Sequence, residues 1–140
     1  MGSGRAKPIS LSVKKYTKKY KSIVRELHIT NGITDLAFLD NYHLPRHGII
    51  VSIGDIPVAI GFLRMVEGGF AQFDSFVTNG YESSENRHLA LSALIVHLTQ
   101  KARLLGLKAI IAHTSDNGLL SRAEAIGFKV IPQTIIGLSL

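Results

Sequence analysis

The segment Thr78-Asn79-Gly80-Tyr81-Glu82-Ser83-Ser84 delivers a strand straight into the start of a long helix. Such a turn presents unpaired backbone N–H groups and a positive helix end to an anion. Arg87 and His88 follow within the first turns and add cationic donors, while Glu82 and Glu85 oppose them. Ser83 and Ser84 also suit an N-cap, which would satisfy the same end from within. Arg87 serves equally as a surface arginine paired with Glu85. Asp74, on the strand leading into this turn, is a candidate general base if it faces a cleft, and otherwise an outward-facing polar residue. His113 ends the next strand, where a histidine either exchanges protons or simply sits at the surface.

Other chemistries find little support. His43-Leu-Pro-Arg-His47 spaces two histidines four apart, but Pro45 breaks the helix that would aim them at one metal, and no third ligand stands nearby. There is no cysteine, which excludes a disulfide scaffold and a thiol nucleophile and leans towards a reducing, cytoplasmic setting. No Walker loop, Rossmann glycine set or Ser-His-Asp pattern is present. The most apolar run, Ile49 to Leu63, is interrupted by Asp55 and Pro57, so it does not read as a membrane span. Net charge is +6, and half of the 16 Lys/Arg lie in residues 1–25, which hold no Asp or Glu. Lys14, Lys15, Lys18 and Lys19 form either a solvated face or a patch for an anion or nucleic acid.

The positioning elements follow from periodicity. Residues 1–8 read as a tag or flexible start, and residues 9–140 as one domain. Ile9 to Leu11 is a short strand. Val13, Tyr16, Tyr20, Ile23 and Leu27 recur at helical spacing and predict a helix over Ser12–Leu27. Ile33 to Tyr42 is a second helix with Leu36, Phe38 and Leu39 buried. Three strands follow as a meander, Gly48–Ile53, Pro57–Met65 and Phe70–Thr78, divided by Gly54-Asp55 and Gly68-Gly69. On the third, Phe70, Gln72, Asp74, Phe76 and Thr78 share one face. Ser84 to Leu105 is the strongest helix, with Leu91, Leu94, Ile95, Leu98, Ala102 and Leu105 in one stripe and Gly106 closing it. Lys108–Ala112 reads as a strand buried on both faces, Asn117–Ile126 as a short helix, and Phe128–Ile131 and Thr134–Leu138 as late strands.

This order resembles the GNAT (Gcn5-related N-acetyltransferase) family. The resemblance rests on Phe73-Asp-Ser-Phe-Val-Thr78, Arg87-His-Leu-Ala-Leu-Ser92, Ala102-Arg-Leu-Leu-Gly106, Ala109-Ile-Ile-Ala112, Asn117 and Glu124-Ala-Ile-Gly-Phe128. It implies an α/β (α+β) fold with a mixed, mostly antiparallel sheet flanked by helices. It further implies an acetyl-CoA-dependent N-acyltransferase acting on a small-molecule or protein amine. Phe76, Val77, Arg87, His88, Ala90, Ser92 and Asn117 would then meet the cofactor. A backbone N–H near Val77 would polarise the thioester, and Asp74 would receive the amine proton. The chain departs from the family at three points. Ala90 and Ser92 replace the two glycines of the R-x-x-G-x-G/A loop, and Ala123 replaces the usual tyrosine acid, leaving Ser121 as the nearest hydroxyl. These departures keep a second expectation open: a GNAT-like binding or structural module without transfer activity. Pairing of Thr134–Leu138 across a homodimer is a further expectation.

Overall fold

The computed structural model describes residues 10–37, 39, 44–114, 116–134 and 136–140. Strand β1 (Leu11–Lys15) leads through a 3-10 turn (Lys18–Tyr20) into helix α1 (Lys21–Thr30). Strands β2 (His47–Ile53), β3 (Ile56–Val66) and β4 (Phe70–Thr78) follow as the expected meander. Helix α2 (Ser84–Leu104), strand β5 (Ala109–Ile111) and helix α3 (Asn117–Ala125) complete the described elements. The sheet runs β1-β2-β3-β4-β5, antiparallel from β1 to β4 and parallel between β4 and β5.

Both faces of this sheet are covered, which is why β2 and β3 read as near-continuous apolar runs. One face sends Ile50, Ile60, Phe62 and Val77 against Tyr16, Val24, Leu27 and Leu39. The other sends Val51, Ala59, Leu63 and Ala71 against Ala90, Leu94, Leu98 and Ala102 of α2. Tyr16 lies edge-on to Phe62 at 4.8 Å between ring centroids, a core role as expected.

The helix expected over Ser12–Leu27 is divided. Leu11, Val13 and Lys15 also fit a period of two, and the free edge of β2 decides between the patterns. Leu11 lies opposite Ile53 and Lys15 opposite Ile49, and Tyr16 N–H continues the ladder to Gly48 O at 2.8 Å. The lysines therefore do not share one helical face. Lys14 and Lys19 both stand over the Tyr20 ring, at 5.3 and 5.0 Å from its centroid, while Lys15 projects from the strand.

Other boundaries shift for equally local reasons. Strand β5 is shorter than Lys108–Ala112 and only half-buried, because among the described residues it is an edge strand paired with β4 alone. The described residues of Phe128–Ile131 and Thr134–Leu138 form no strand, and Val130, Ile131, Ile136 and Leu138 are exposed. Pro132 removes a ladder donor there, and three-residue β5 offers little edge to extend. Ile9, Phe38, residues 40–43 and Ile135, on which parts of the expected elements fall, lie outside the described residues. Leu36 and Leu39 are buried as expected.

The meander contains two irregularities, a register shift between β2 and β3 at Val51/Ser52 and a second that reshapes β4. Register between β3 and β4 shifts between Ile60 and Phe62, and Ser75 takes a left-handed φ of 53°. The extra residue rotates the strand, so Phe76 joins Phe73 on the α2 face at 4.9 Å instead of sharing a face with Asp74. Gly61 lies across from the bulge and makes room for that ring: a Cβ there would sit 2.5 Å from the Phe76 ring and 3.0 Å from Leu94. Gly61→Ala should therefore cost about 1–3 kcal/mol, as overpacking does. Urea unfolding checks this, and an unchanged midpoint would contradict the packing described.

Candidate functional site

Strands β4 and β5 pair only at their starts, with Phe70 opposite Ala109, Ala71 opposite Ile110 and Gln72 opposite Ile111. Beyond Gln72 the bulge at Ser75 bends β4, and the two strands separate. A cleft of about 340 Å³ opens between them, lined by Phe73 to Thr78 on one side and by Leu91, Ala112, His113, Thr114, Asp116 and Leu119 on the other. Phe73 and Phe76 give it an aromatic floor, and Phe128 backs Phe73 at 5.4 Å between ring centroids. Phe128 is held there because its N–H closes the end of α3 on Ala123 O at 3.0 Å.

The backbone sets which amides face this opening. Asn79 N–H bonds to Val58 O at 2.7 Å, and the same register places Val77 opposite Ile60. Antiparallel alternation then turns Val77 N–H towards Ile60 and the N–H groups of Phe76 and Thr78 away from β3, to the β5 side.

The turn after Thr78 is tied to α1 and to itself. Asn31 Nδ2 donates to Thr78 O at 2.7 Å and to Leu27 O at 2.8 Å. Gly80 N–H reaches Thr30 Oγ1 at 2.8 Å, so close to the Thr30 carbonyl that a Cβ on Gly80 would collide with it. Tyr81 N–H and Glu82 N–H both turn back onto Asn79, at 3.0 and 3.2 Å. Ser83 then caps α2, accepting from Asn86 N–H at 3.0 Å. The N–H groups of Ser83, Ser84 and Glu85 have no acceptor among the described residues.

No family model matches the chain, and no curated protein is similar to it in sequence at a significant level. Solved structures are similar in fold. A GCN5-related N-acetyltransferase from Ralstonia eutropha superposes with a TM-score of 0.67 at 15% identity, covering 92% of this chain and 99% of that one. A predicted acetyltransferase from Clostridium acetobutylicum, solved with acetyl-CoA, gives 0.66 at 12% identity over 92% and 96%. The ribosomal-protein-S18-alanine N-acetyltransferase of Escherichia coli gives 0.65 at 13% identity over 86% and 78%. The chain has the GNAT fold.

Within that fold the sequence-predicted site residues do not all come together. Asp74, Phe76 and Val77 line the cleft. Asp74 is ion-paired with Arg64 Nε, and its second oxygen accepts from Ser75 Oγ at 2.6 Å. Arg87 and His88 lie in the first turns of α2, Arg87 half-buried and His88 exposed.

Ala90 and Ser92 do not form a loop. They sit roughly 9 and 12 Å along the helix axis from Ser84 by helical rise. Ala90 is fully buried against the sheet, with its amide engaged inside α2. Residues 87–92 hold no glycine or proline, so nothing in the sequence interrupts the helix that Ser83 caps, and the R-x-x-G-x-G/A register falls inside α2.

Asn117 opens α3 but is exposed, and the cap is Asp116, whose Oδ1 accepts from Gly118 N–H at 2.7 Å and Leu119 N–H at 3.2 Å. Ser121 is also exposed and is not part of the cleft lining. It stands two residues from buried Ala123, so the helical period turns it outwards. Lys14, Lys15, Lys18 and Lys19 lie at the β1 edge, away from β5.

Arg122 is the residue that sequence reasoning missed. Its Nη2 donates to His88 Nδ1 at 2.6 Å and ties α3 to α2. The Nε atoms of Arg122 and Arg87 are both enclosed without a hydrogen-bond partner. The one sequence signal is Gly118, four residues earlier on the same helix, where a Cβ would sit 2.8 Å from Arg122 Nη1. Among the described residues no group of three His, Asp or Glu is placed to hold a metal.

Asn31→Ala should loosen the α2 lead-in, because Thr78 O loses this donor while Leu27 O keeps the Thr30 hydroxyl at 2.6 Å. A loss of about 1–3 kcal/mol in chemical unfolding is expected, with faster hydrogen exchange at Gly80. Unchanged exchange there would contradict the tether.

Proposed function

We propose that the chain is an acetyl-CoA-dependent N-acyltransferase acting on an amine. The observation that carries this reading is the cleft between β4 and β5, opened at the Ser75 bulge and faced by the outward amides of Phe76 and Thr78. A similar fold solved with acetyl-CoA adds support.

The residues present suit the cofactor. Three capless amides at Ser83, Ser84 and Glu85, and the enclosed Nε atoms of Arg87 and Arg122, are donors in want of an anionic acceptor. Asn86 Nδ2 holds Glu82 Oε2 at 3.3 Å, drawing that carboxylate back along α2. Acetyl-CoA, when bound, supplies an acetyl group activated as a thioester. The chain's own residues do the rest. One of the outward N–H groups, Phe76 or Thr78, polarises the carbonyl where charge develops, and the other, about 7 Å along the strand, is left for a second polar group of the ligand. Phe73, Leu91 and Leu119 give the cleft apolar walls. His113 lines the same cleft with no hydrogen bond to a described residue, so it is free to receive the amine proton. Asp74 is less free, since it must release Arg64 or Ser75 to do so. Holding amine and acyl donor in one cleft supplies the proximity on which direct transfer depends.

Acetyl-CoA at 100-fold excess over its Kd should stabilise the chain by about 2.7 kcal/mol, read as a raised thermal midpoint. Arg122→Gln should weaken that binding about tenfold, or ~1.4 kcal/mol. A midpoint that does not move at millimolar acetyl-CoA would contradict the enzyme reading and favour a binding module on the same fold.

A further inference from the structure

A second pocket lies at the opposite edge of the sheet, three strand spacings, or roughly 14 Å, from β4. It has a volume of about 150 Å³ and lies between β1, the start of β2 and the last turns of α2, with Val13, Lys15, His47, Ile49, Leu98 and Lys101 among its walls. A single water needs roughly 10–15 Å³, so there is room for a group of several heavy atoms.

The charges around it have one sign. Lys15 comes from β1, Lys101 from α2 and His47 from the first position of β2, with Arg46 beside it. Among the described residues none of Lys15, Arg46 and Lys101 is ion-paired, and no described carboxylate lines the pocket. The Nδ1 atom of His47 is enclosed without a partner. Burial lowers the His47 pKa first, and the positive charges of Lys101, Arg46 and Lys15 lower it further. Val13, Ile49 and Leu98 form apolar walls, which strengthen the pull of these cations on an anion. Cations converging on one cavity without a carboxylate are an arrangement that an anion would relieve.

We propose that this pocket is a binding site for a phosphate-type oxyanion, held by the ammonium groups of Lys15 and Lys101 with the His47 ring beside them. It is independent of the acyl cleft and stands whether or not the chain binds acetyl-CoA. The oxyanion is either free phosphate or the head of a phosphomonoester. To test it, the full chain is titrated with inorganic phosphate, and in parallel with phenyl phosphate, against sodium chloride at equal ionic strength. The readout is the ring resonances of His47. A saturable shift with phosphate and not with chloride is expected, together with a raised His47 pKa. Lys15→Gln and Lys101→Gln should each weaken it about tenfold, the loss of one charge-assisted contact. Lys108→Gln, next to β5, should leave it unchanged. Tighter binding of phenyl phosphate would identify a monoester as the ligand, and equal binding would identify free phosphate. A response no different from that to chloride, or one that survives both pocket substitutions, would overturn the site.

Discussion

The left-handed backbone at Ser75 governs most of what is distinctive in this molecule. A non-glycine residue at φ 53° inside a strand is costly, and the surrounding packing must hold it there. Gly61 yields the space for Phe76, Phe76 leans on Phe73, and Phe73 supports Phe128 at the end of α3. The same bulge turns Asp74 towards Arg64 and bends β4 out of register with β5. Cleft, aromatic floor and outward amides therefore share one origin. Any change that relaxed Ser75 to ordinary strand geometry would restore alternation along β4 and remove all three.

Charge balance around the start of α2 follows a different logic. A glycine-rich loop leaves its amides bare for a phosphate. Here the turn is closed by its own bonds: Asn79 and Thr30 take up the amides from Gly80 to Glu82, and Ser83 caps Asn86. What remains for an anion is a short run of three N–H groups, supplemented by guanidinium nitrogens from α2 and α3. In the proposed complex, side-chain cations would stand where backbone donors would otherwise suffice. Glu82 is tolerated because Asn86 restrains it.

The sequence made the meander, α2 and α3 legible because each has one strong period and a marked end. Phe70–Thr78 was readable to its bounds, and Ser84 opens α2 as expected. The first strand was not. Leu11, Val13 and Lys15 fit a period of two as well as Val13, Tyr16 and Tyr20 fit a helix, and only pairing with β2, more than thirty residues away, chooses between them. The face assignment of Phe76 failed for a related reason, since Ser75 carries no sequence mark of a bulge. The fold of the site was visible through the Gly-Phe ending and the strand-helix-strand spacing. Its donors were not. Ala90 and Ser92 occupy the motif's register but lie inside α2, while Arg122 reaches His88 across a contact 34 residues apart in sequence. Ser121 is the nearest hydroxyl along the chain, but helical phase carries it away from the cleft.

The central claim is that the opening made by the β4 bulge receives an acyl-CoA. Amide resonances of the labelled chain, followed during titration with acetyl-CoA, test it most directly. Saturable displacement of Phe76 and Thr78 together with Ser83, Ser84 and Glu85 is expected, whether or not the phosphate pocket at the β1 edge also responds to the cofactor's phosphates. Amides at these five positions that remain unmoved at millimolar acetyl-CoA, or displacements confined to the β1 edge, would contradict it.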